Sequence, residues 1–442
     1  MRIKTLSILP MAFAIVCLSA EESARKYSLQ ECIDYAMEHS PTLAKQEITV
    51  KNQKLQTVIE EAQFAFTLSA NDSHSAQAGE DNGTVTLSKE FKSGFEVRTW
   101  VNAARRNGEG VTSNYIAMQI SKTLIGGGSR IETTYGLEAS LLDELQALNT
   151  LSRAKRKLAQ DVKLAYYNVI EAQQSLLVKQ RALENSKHTL ALTREREKPL
   201  DILTAEIRIP ENEISVNSAK RAISNGLDAL KQLMGMEIET PFDITGDFDF
   251  EIHTFDLSKD LEFGRENLET FVNNRLERKK LELQCKIYDG KTLPKVSLNA
   301  THYQYGDNRH FNFDGKDEQV ISMNLTYEIG RRADTARLGR AMNNLENNSH
   351  DYFVLDQALS VDLNGYHRRL LESEAAVKLQ ENLCEFYRRK EELYKDKWEN
   401  GEIDILELVR TQTDLENSYV ELINRKISYM ELVANYEYAV GR

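Results

Sequence analysis

The sequence predicts an α+β membrane protein built as an internal duplication, in which each copy joins short β-strands to a very long α-helical hairpin. Three observations predict it. Two stretches of about 65 residues, Ile131 to Glu195 and Arg332 to Trp398, carry helical pattern without a proline. Each is preceded by apolar and polar residues alternating with period two. Matching motifs recur about 200 residues apart.

The repeats set the layout. Leu200-Asp201-Ile202-Leu203 reappears as Ile403-Asp404-Ile405-Leu406, Gly128-Ser129-Arg130 resembles Gly330-Arg331-Arg332, and Leu233-Met234-Gly235 resembles Ala439-Val440-Gly441. Met37–Glu47 aligns with Val272–Glu282 at a larger offset, so the first copy carries about 33 additional residues. The predicted organisation is a signal peptide over 1–20 and a first repeat over 21–240, with strands over about 63–124 and a long hairpin over 130–235. A linker follows over 241–260, with Pro241, Gly246, many Asp and one short strand. The second repeat covers 261–442, with strands over about 295–329 and a long hairpin over 331–441.

Within the first copy, Ser28 and Glu31 have the spacing of a capping box, and Pro41 separates that short helix from a second one over 42–63. The second copy opens on one helix over 261–288. In its strands Val296, Leu298 and Ala300 oppose Ser297, Asn299 and Thr301, and Ile321, Met323 and Leu325 oppose Ser322, Asn324 and Thr326, with a polar loop over 306–317 between. The first copy shows the same pattern around Phe64–Ala70 and Ile116–Leu124. Its additional residues read as one more hairpin, 84–91 and 95–102, turning at Lys92-Ser93-Gly94, an extension that the core does not need. Helices of this length, roughly 100 Å at about 1.5 Å per residue, must pack laterally in a coiled-coil-like assembly. The return helices run over 204–233, where Pro210 predicts a local kink, and over 407–438.

Composition excludes several function classes. A net charge of -12 argues against a nucleic-acid partner. Arg2 and Lys4 before the apolar run Leu6–Leu18 make an export signal too short to span a bilayer, with cleavage after Leu18-Ser19-Ala20. Cys17 lies inside it behind Ala14-Ile15-Val16, a degenerate lipidation box. Cys32, Cys285 and Cys384 are too far apart for a disulfide framework or a zinc site. No HExxH, GxSxG or P-loop pattern occurs, so no catalytic residue, metal or cofactor is assigned and the chain is not expected to be an enzyme. Gly126-Gly127-Gly128 reads as a sharp strand-to-helix transition rather than a phosphate cradle, because the P-loop lysine is missing.

Strands with one apolar and one polar face suit a bilayer, but so few per chain cannot close a barrel, and lipid does not tolerate open sheet edges. Protomers must therefore associate. Two strand pairs per chain, three times over, predict a shared 12-stranded barrel. The rival reading is a periplasmic coiled-coil scaffold or adhesion protein, which needs no lipid-facing strands.

Over nearly its whole length the chain resembles the outer-membrane efflux protein family, the TolC-like channels. The motif Lys397-Trp398-Glu399-Asn400-Gly401-Glu402-Ile403-Asp404-Ile405-Leu406-Glu407 carries the resemblance, with Gln412, Leu415 and the closing Ala439-Val440-Gly441. So do the opening Ser28–Ile33 stretch and Leu293-Pro294 before a strand. The resemblance implies a homotrimer with a 12-stranded outer-membrane β-barrel and a periplasmic α-barrel. It implies an exit duct for small molecules or polypeptides in tripartite efflux or type I secretion. Partners would be a periplasmic adaptor and an inner-membrane pump of RND or ABC type. It further implies a pore constriction at Glu407, shared with or replaced by Asp404, and tip gating through Asp201 and Trp398. Two positions depart from the family pattern. Ile403 stands where the best-known member has a tip arginine, and Glu195, inside Arg194-Glu195-Arg196-Glu197-Lys198, replaces a tip glycine.

Overall fold

The computed structural model describes residues 25–442 except 76–79, 107–109, 128, 196–197, 247, 249, 307–312, 314 and 331. The predicted signal peptide 1–20 with Cys17, most of the 306–317 loop, and Gly128 and Arg331 of the repeat motifs lie outside the described residues. The chain divides into two compact units. One comprises the described residues to Ser40, Asp161–Glu251 and Ala376–Met430; the other comprises Pro41–Gln160, Ile252–Ala375 and Glu431–Arg442. Both sequence repeats contribute to each unit.

Along the chain, β1 (Arg25–Tyr27) and α1 (Leu29–His39) come first. Ser28 accepts from the Glu31 N–H at 3.3 Å while the Glu31 carboxylate accepts from the Ser28 N–H at 2.8 Å, the reciprocal capping pair that the sequence predicts. Pro41 then opens α2 (Pro41–Ala62), and four strands follow: β2 (Thr67–Ser75), β3 (Glu80–Glu90), β4 (Phe95–Arg106) and β5 (Gly110–Ile125). The long hairpin is α3 (Arg130–Arg194) and α4 (Pro199–Met234), and α4 continues through Pro210 as a single element.

The linker's short strand is β6 (Phe242–Ile244), which pairs in parallel with β1, Arg25 opposite Phe242 and Tyr27 opposite Ile244. The expected single helix over 261–288 is corrected to two, α5 (Leu257–Asn267) and α6 (Glu269–Lys291). They are broken where Leu268 turns extended (φ -63°, ψ 135°). The break places Leu268 against Gly441, where an added Cβ would lie 3.0 Å from its side chain. The second copy then supplies β7 (Lys295–Tyr305), β8 (Asp317–Thr326), α7 (Arg332–Glu399) and α8 (Ile405–Val440).

The matching repeat ends share one physical device. After α4, Met236 N–H bonds the Lys231 carbonyl (2.9 Å) across left-handed Gly235; after α8, Arg442 N–H bonds Glu437 (2.9 Å) across Gly441. Both are Schellman caps, which only glycine accepts without strain.

In the second unit the six strands β2-β3-β4-β5-β7-β8 form one antiparallel sheet in that order. The hairpin read as an extension is β3–β4, and it lies inside the sheet: Leu68 faces Leu87, Leu87 faces Thr99, and Thr99 faces Met118. Among the described residues β2 pairs only with β3 and β8 only with β7, so the sheet has two open edges. The expected first strand begins later than Phe64, because α2 reaches Ala62 and a turn closes with the Phe64 N–H on Glu61. No helix among the described residues is long and apolar enough to cross a membrane.

Candidate functional site

Two regions hold the residues to which function was assigned: the hairpin ends in the first unit and the sheet in the second.

At the second hairpin end, α7 stops in a third Schellman cap, the Glu402 N–H on the Lys397 carbonyl (2.9 Å) and the Gly401 N–H on Trp398 (3.0 Å), with Gly401 at φ 80°. This turn folds Trp398 inward. Its side chain is only 2% exposed and packs with Ile405 and Leu408, flanked by Leu192, Tyr394, Ile403 and Val409. Trp398 is therefore a core anchor of the hairpin end, and Ile403 is part of the same apolar cluster.

Asp404 stands immediately before α8. Its Oδ1 accepts from the Ile405 N–H at 2.7 Å, and the Glu407 N–H bonds its carbonyl. Glu407 lies in the first turn of α8, and both carboxylates are exposed. An acid in the first turn of a helix is stabilised by the dipole, so Asp404 also has a local structural role.

At the first hairpin end, Pro199 opens α4 behind Lys198, which caps without a side-chain bond, and Asp201 sits half-buried in the first turn. Leu200 and Leu203 beside it are exposed, and Arg194 pairs with Glu206 at 2.9 Å. Glu195 is exposed; Arg196 and Glu197 of the charged run lie outside the described residues.

The sequence reading did not single out a cleft of about 260 Å³ in the same unit, where the charged and polar Arg181, Arg208, Glu391, Gln412 and Glu416 line it together with apolar Val178, Ala182 and Leu415. Arg208 donates to Thr413 at 2.8 Å. Burial pushes the Glu416 carboxyl above its ordinary range, opposed by the charges of Arg208 and Lys179. The signal available in the sequence was Gln412 and Glu416, one helical turn apart on α8. Among the described residues no three His, Cys, Asp or Glu side chains gather as a metal site needs.

The sheet has two chemically distinct faces. One row crossing it reads Lys89, Val97, Ile120, Ala300, Ile321, and the next reads Leu68, Leu87, Thr99, Met118, His302, Gln319. The apolar side chains of this face are open: Leu68 is 71% exposed, Ile321 77% and Met323 70%. Towards the helical end this face carries Phe66 and Phe95, with the ammonium groups of Lys89 and Lys122 at 4.3 and 4.1 Å from the ring centres. Such amphipathic belts mark the boundary between hydrocarbon and water. The opposite face is polar: Asn102 donates to Thr84 at 2.9 Å, Gln119 to Thr301 at 3.2 Å, and Arg98 pairs with Glu96 at 2.7 Å. Trp100, Tyr115, Tyr303 and Tyr305 gather on it with ring centres 5.8 to 6.2 Å apart.

No protein-family model matches the sequence, and no curated protein does. Solved structures do match. CusC, described through its folding and transmembrane channel formation, aligns at a TM-score of 0.70 and 12% identity, covering 98% of this chain and 96% of that one. The outer membrane protein VceC of Vibrio cholerae aligns at 0.69 and 15%, covering 93% and 96%. The open-state outer membrane channel MtrE of Neisseria gonorrhoeae aligns at 0.69 and 15%, covering 98% of each chain. At such identities the likeness is one of fold, and the chain has the TolC-like fold of these outer-membrane channels.

Proposed function

We propose that this chain is one protomer of a homotrimeric outer-membrane exit duct. It receives small molecules or polypeptides through a periplasmic adaptor and an inner-membrane pump of RND or ABC type. The observation that carries the reading is the sheet: one exposed apolar face, one polar face and two edges unpaired among the described residues. An apolar face this open has no use in water, and open edges in lipid leave backbone groups unsatisfied. Closure between copies answers both, turning the apolar face to lipid and the polar face to a water-filled lumen. The shared fold with outer-membrane channels supports the same reading. The duct lies in the outer membrane, and its long helical hairpins extend into the periplasm.

Under this reading the three copies of Glu407, with Asp404 one turn earlier, form an acidic ring at the hairpin ends that concentrates cations and repels anions. Asp201 and Trp398 take part in opening and closing that end. For Trp398 this works through the apolar cluster, since any movement of α8 against α7 must repack it. In planar-bilayer recordings, Glu407→Gln is expected to lower cation over anion preference by roughly twofold to tenfold while assembly is unchanged. Selectivity that shifts with Asp404→Asn and not with Glu407→Gln assigns the ring to Asp404. No shift with either removes the acidic constriction from the account.

A further inference from the structure

The β3–β4 hairpin accounts for the additional residues of the first copy, and the structure puts it where an appendage would not be. Both of its strands are hydrogen-bonded on both sides. β3 pairs with β2 from Glu80 to Ser88 and with β4 from Glu80 to Glu90, and β4 pairs with β5 over Phe95–Arg106. Its side chains alternate in phase with the rest of the sheet. Val85, Leu87 and Val97 fall on the apolar face with Met118 and Ile321, while Thr84, Thr86 and Arg98 fall on the polar face. Its turn lies at the end where the helices leave. Gly94 at φ 80° closes it, and Lys92 is held to Glu61 of α2 at 3.1 Å. Short turns on the periplasmic side are the pattern of outer-membrane barrels.

We propose that all six strands of each chain form membrane wall, so that three chains close an 18-stranded barrel rather than one of 12, β2 of each protomer pairing with β8 of the next. This rests on the trimeric duct reading above. Strand direction permits it. The six strands alternate throughout, so β8 and the next copy's β2 meet antiparallel, and the total stays even. Barrel diameter grows roughly linearly with strand number, so the membrane pore is about half as wide again as a 12-stranded one, in the range where porins hold an open aqueous channel.

Single cysteines at positions 84, 85, 86, 87, 97 and 98, in a background with the native cysteines replaced by alanine, are spin-labelled in proteoliposomes. Relaxation by oxygen, which partitions into lipid, is compared with relaxation by a water-soluble nickel chelate. Positions 118 and 321 serve as controls. The proposal expects oxygen to be the stronger relaxant at 85, 87 and 97, as at both controls, and the nickel chelate to be stronger at 84, 86 and 98. Nickel access at all six hairpin positions, with the controls still in lipid, overturns the 18-stranded wall and leaves the duct reading standing. Nickel access at the controls as well overturns both.

Discussion

Replacing Gly126 by valine is expected to abolish the folded, membrane-inserted protein. Gly126 sits at φ 76°, where a non-glycine residue costs about 1–3 kcal/mol in backbone strain alone. An added Cβ would also lie 2.3 Å from the Pro294 carbonyl oxygen, 2.5 Å from its carbon and 2.6 Å from the Lys295 Cα. These are backbone atoms at the start of β7, held by the pairing of Ile125 with Val296, so they cannot withdraw without unzipping the contact between the two repeats' strands. Gly330→Ala is the comparison. It shares a positive φ (92°), but nothing lies within 4 Å of the added carbon, so only the strain of about 1–2 kcal/mol remains. Quantifying each variant in isolated outer membranes checks this. Normal levels of Gly126→Val would show that the β5–β7 junction is not as close as described.

The second large effect is expected at Asp260. Its side chain is 2% exposed, accepting from the Tyr436 hydroxyl at 2.7 Å and from the Arg442 guanidinium at 2.6 Å, and so ties α5 to the end of α8. Asp260→Ala leaves a buried hydroxyl and a cation without their acceptor and should cost about 3 kcal/mol in denaturant unfolding. Burial, then the bond to Asp260, raises the Tyr436 phenol above its ordinary 10.0. A group that holds its proton more tightly when folded contributes stability that is fully present below that unfolded value. The contribution is lost as pH rises through the folded pKa. Wild-type stability should therefore decline above about pH 10, and Tyr436→Phe should flatten that decline. An unchanged alkaline slope in Tyr436→Phe would remove this residue as its source.

Much of this architecture is legible in the sequence because it depends on local chemistry. The Ser28–Glu31 cap, the turn at Lys92-Ser93-Gly94 and the paired glycines 235 and 441 each encode a backbone geometry within a few residues. The long helices are legible through the absence of proline. What is not legible depends on distant partners. The pairing of β1 with β6 joins a three-residue strand near the start of the first repeat to one in the linker, and nothing in Arg25–Tyr27 announces Phe242–Ile244. The break at Leu268 has neither proline nor glycine at its position. The unequal spacing of the matching motifs leads to the expectation of an additional hairpin, but only the register shows that β3 and β4 lie between β2 and β5 in the sheet.

The candidate site divides in the same way. The acids Asp404 and Glu407 stand at the start of the returning helix as their spacing indicates. Trp398, assigned to gating by resemblance, is enclosed by Ile405 and Leu408, and its burial depends on how α8 packs back on α7. The cleft around Arg208 and Glu416 draws residues from four helices, α3, α4, α7 and α8, which no single stretch of sequence displays.

Under the duct reading, a sheet with one face for lipid and two edges unpaired among the described residues needs copies of itself to be complete. The mass of the detergent-extracted protein, measured by native mass spectrometry, tests that requirement most directly. Three chains per particle, stable at dilution, is the predicted result; a stable single chain that remains folded would contradict the duct.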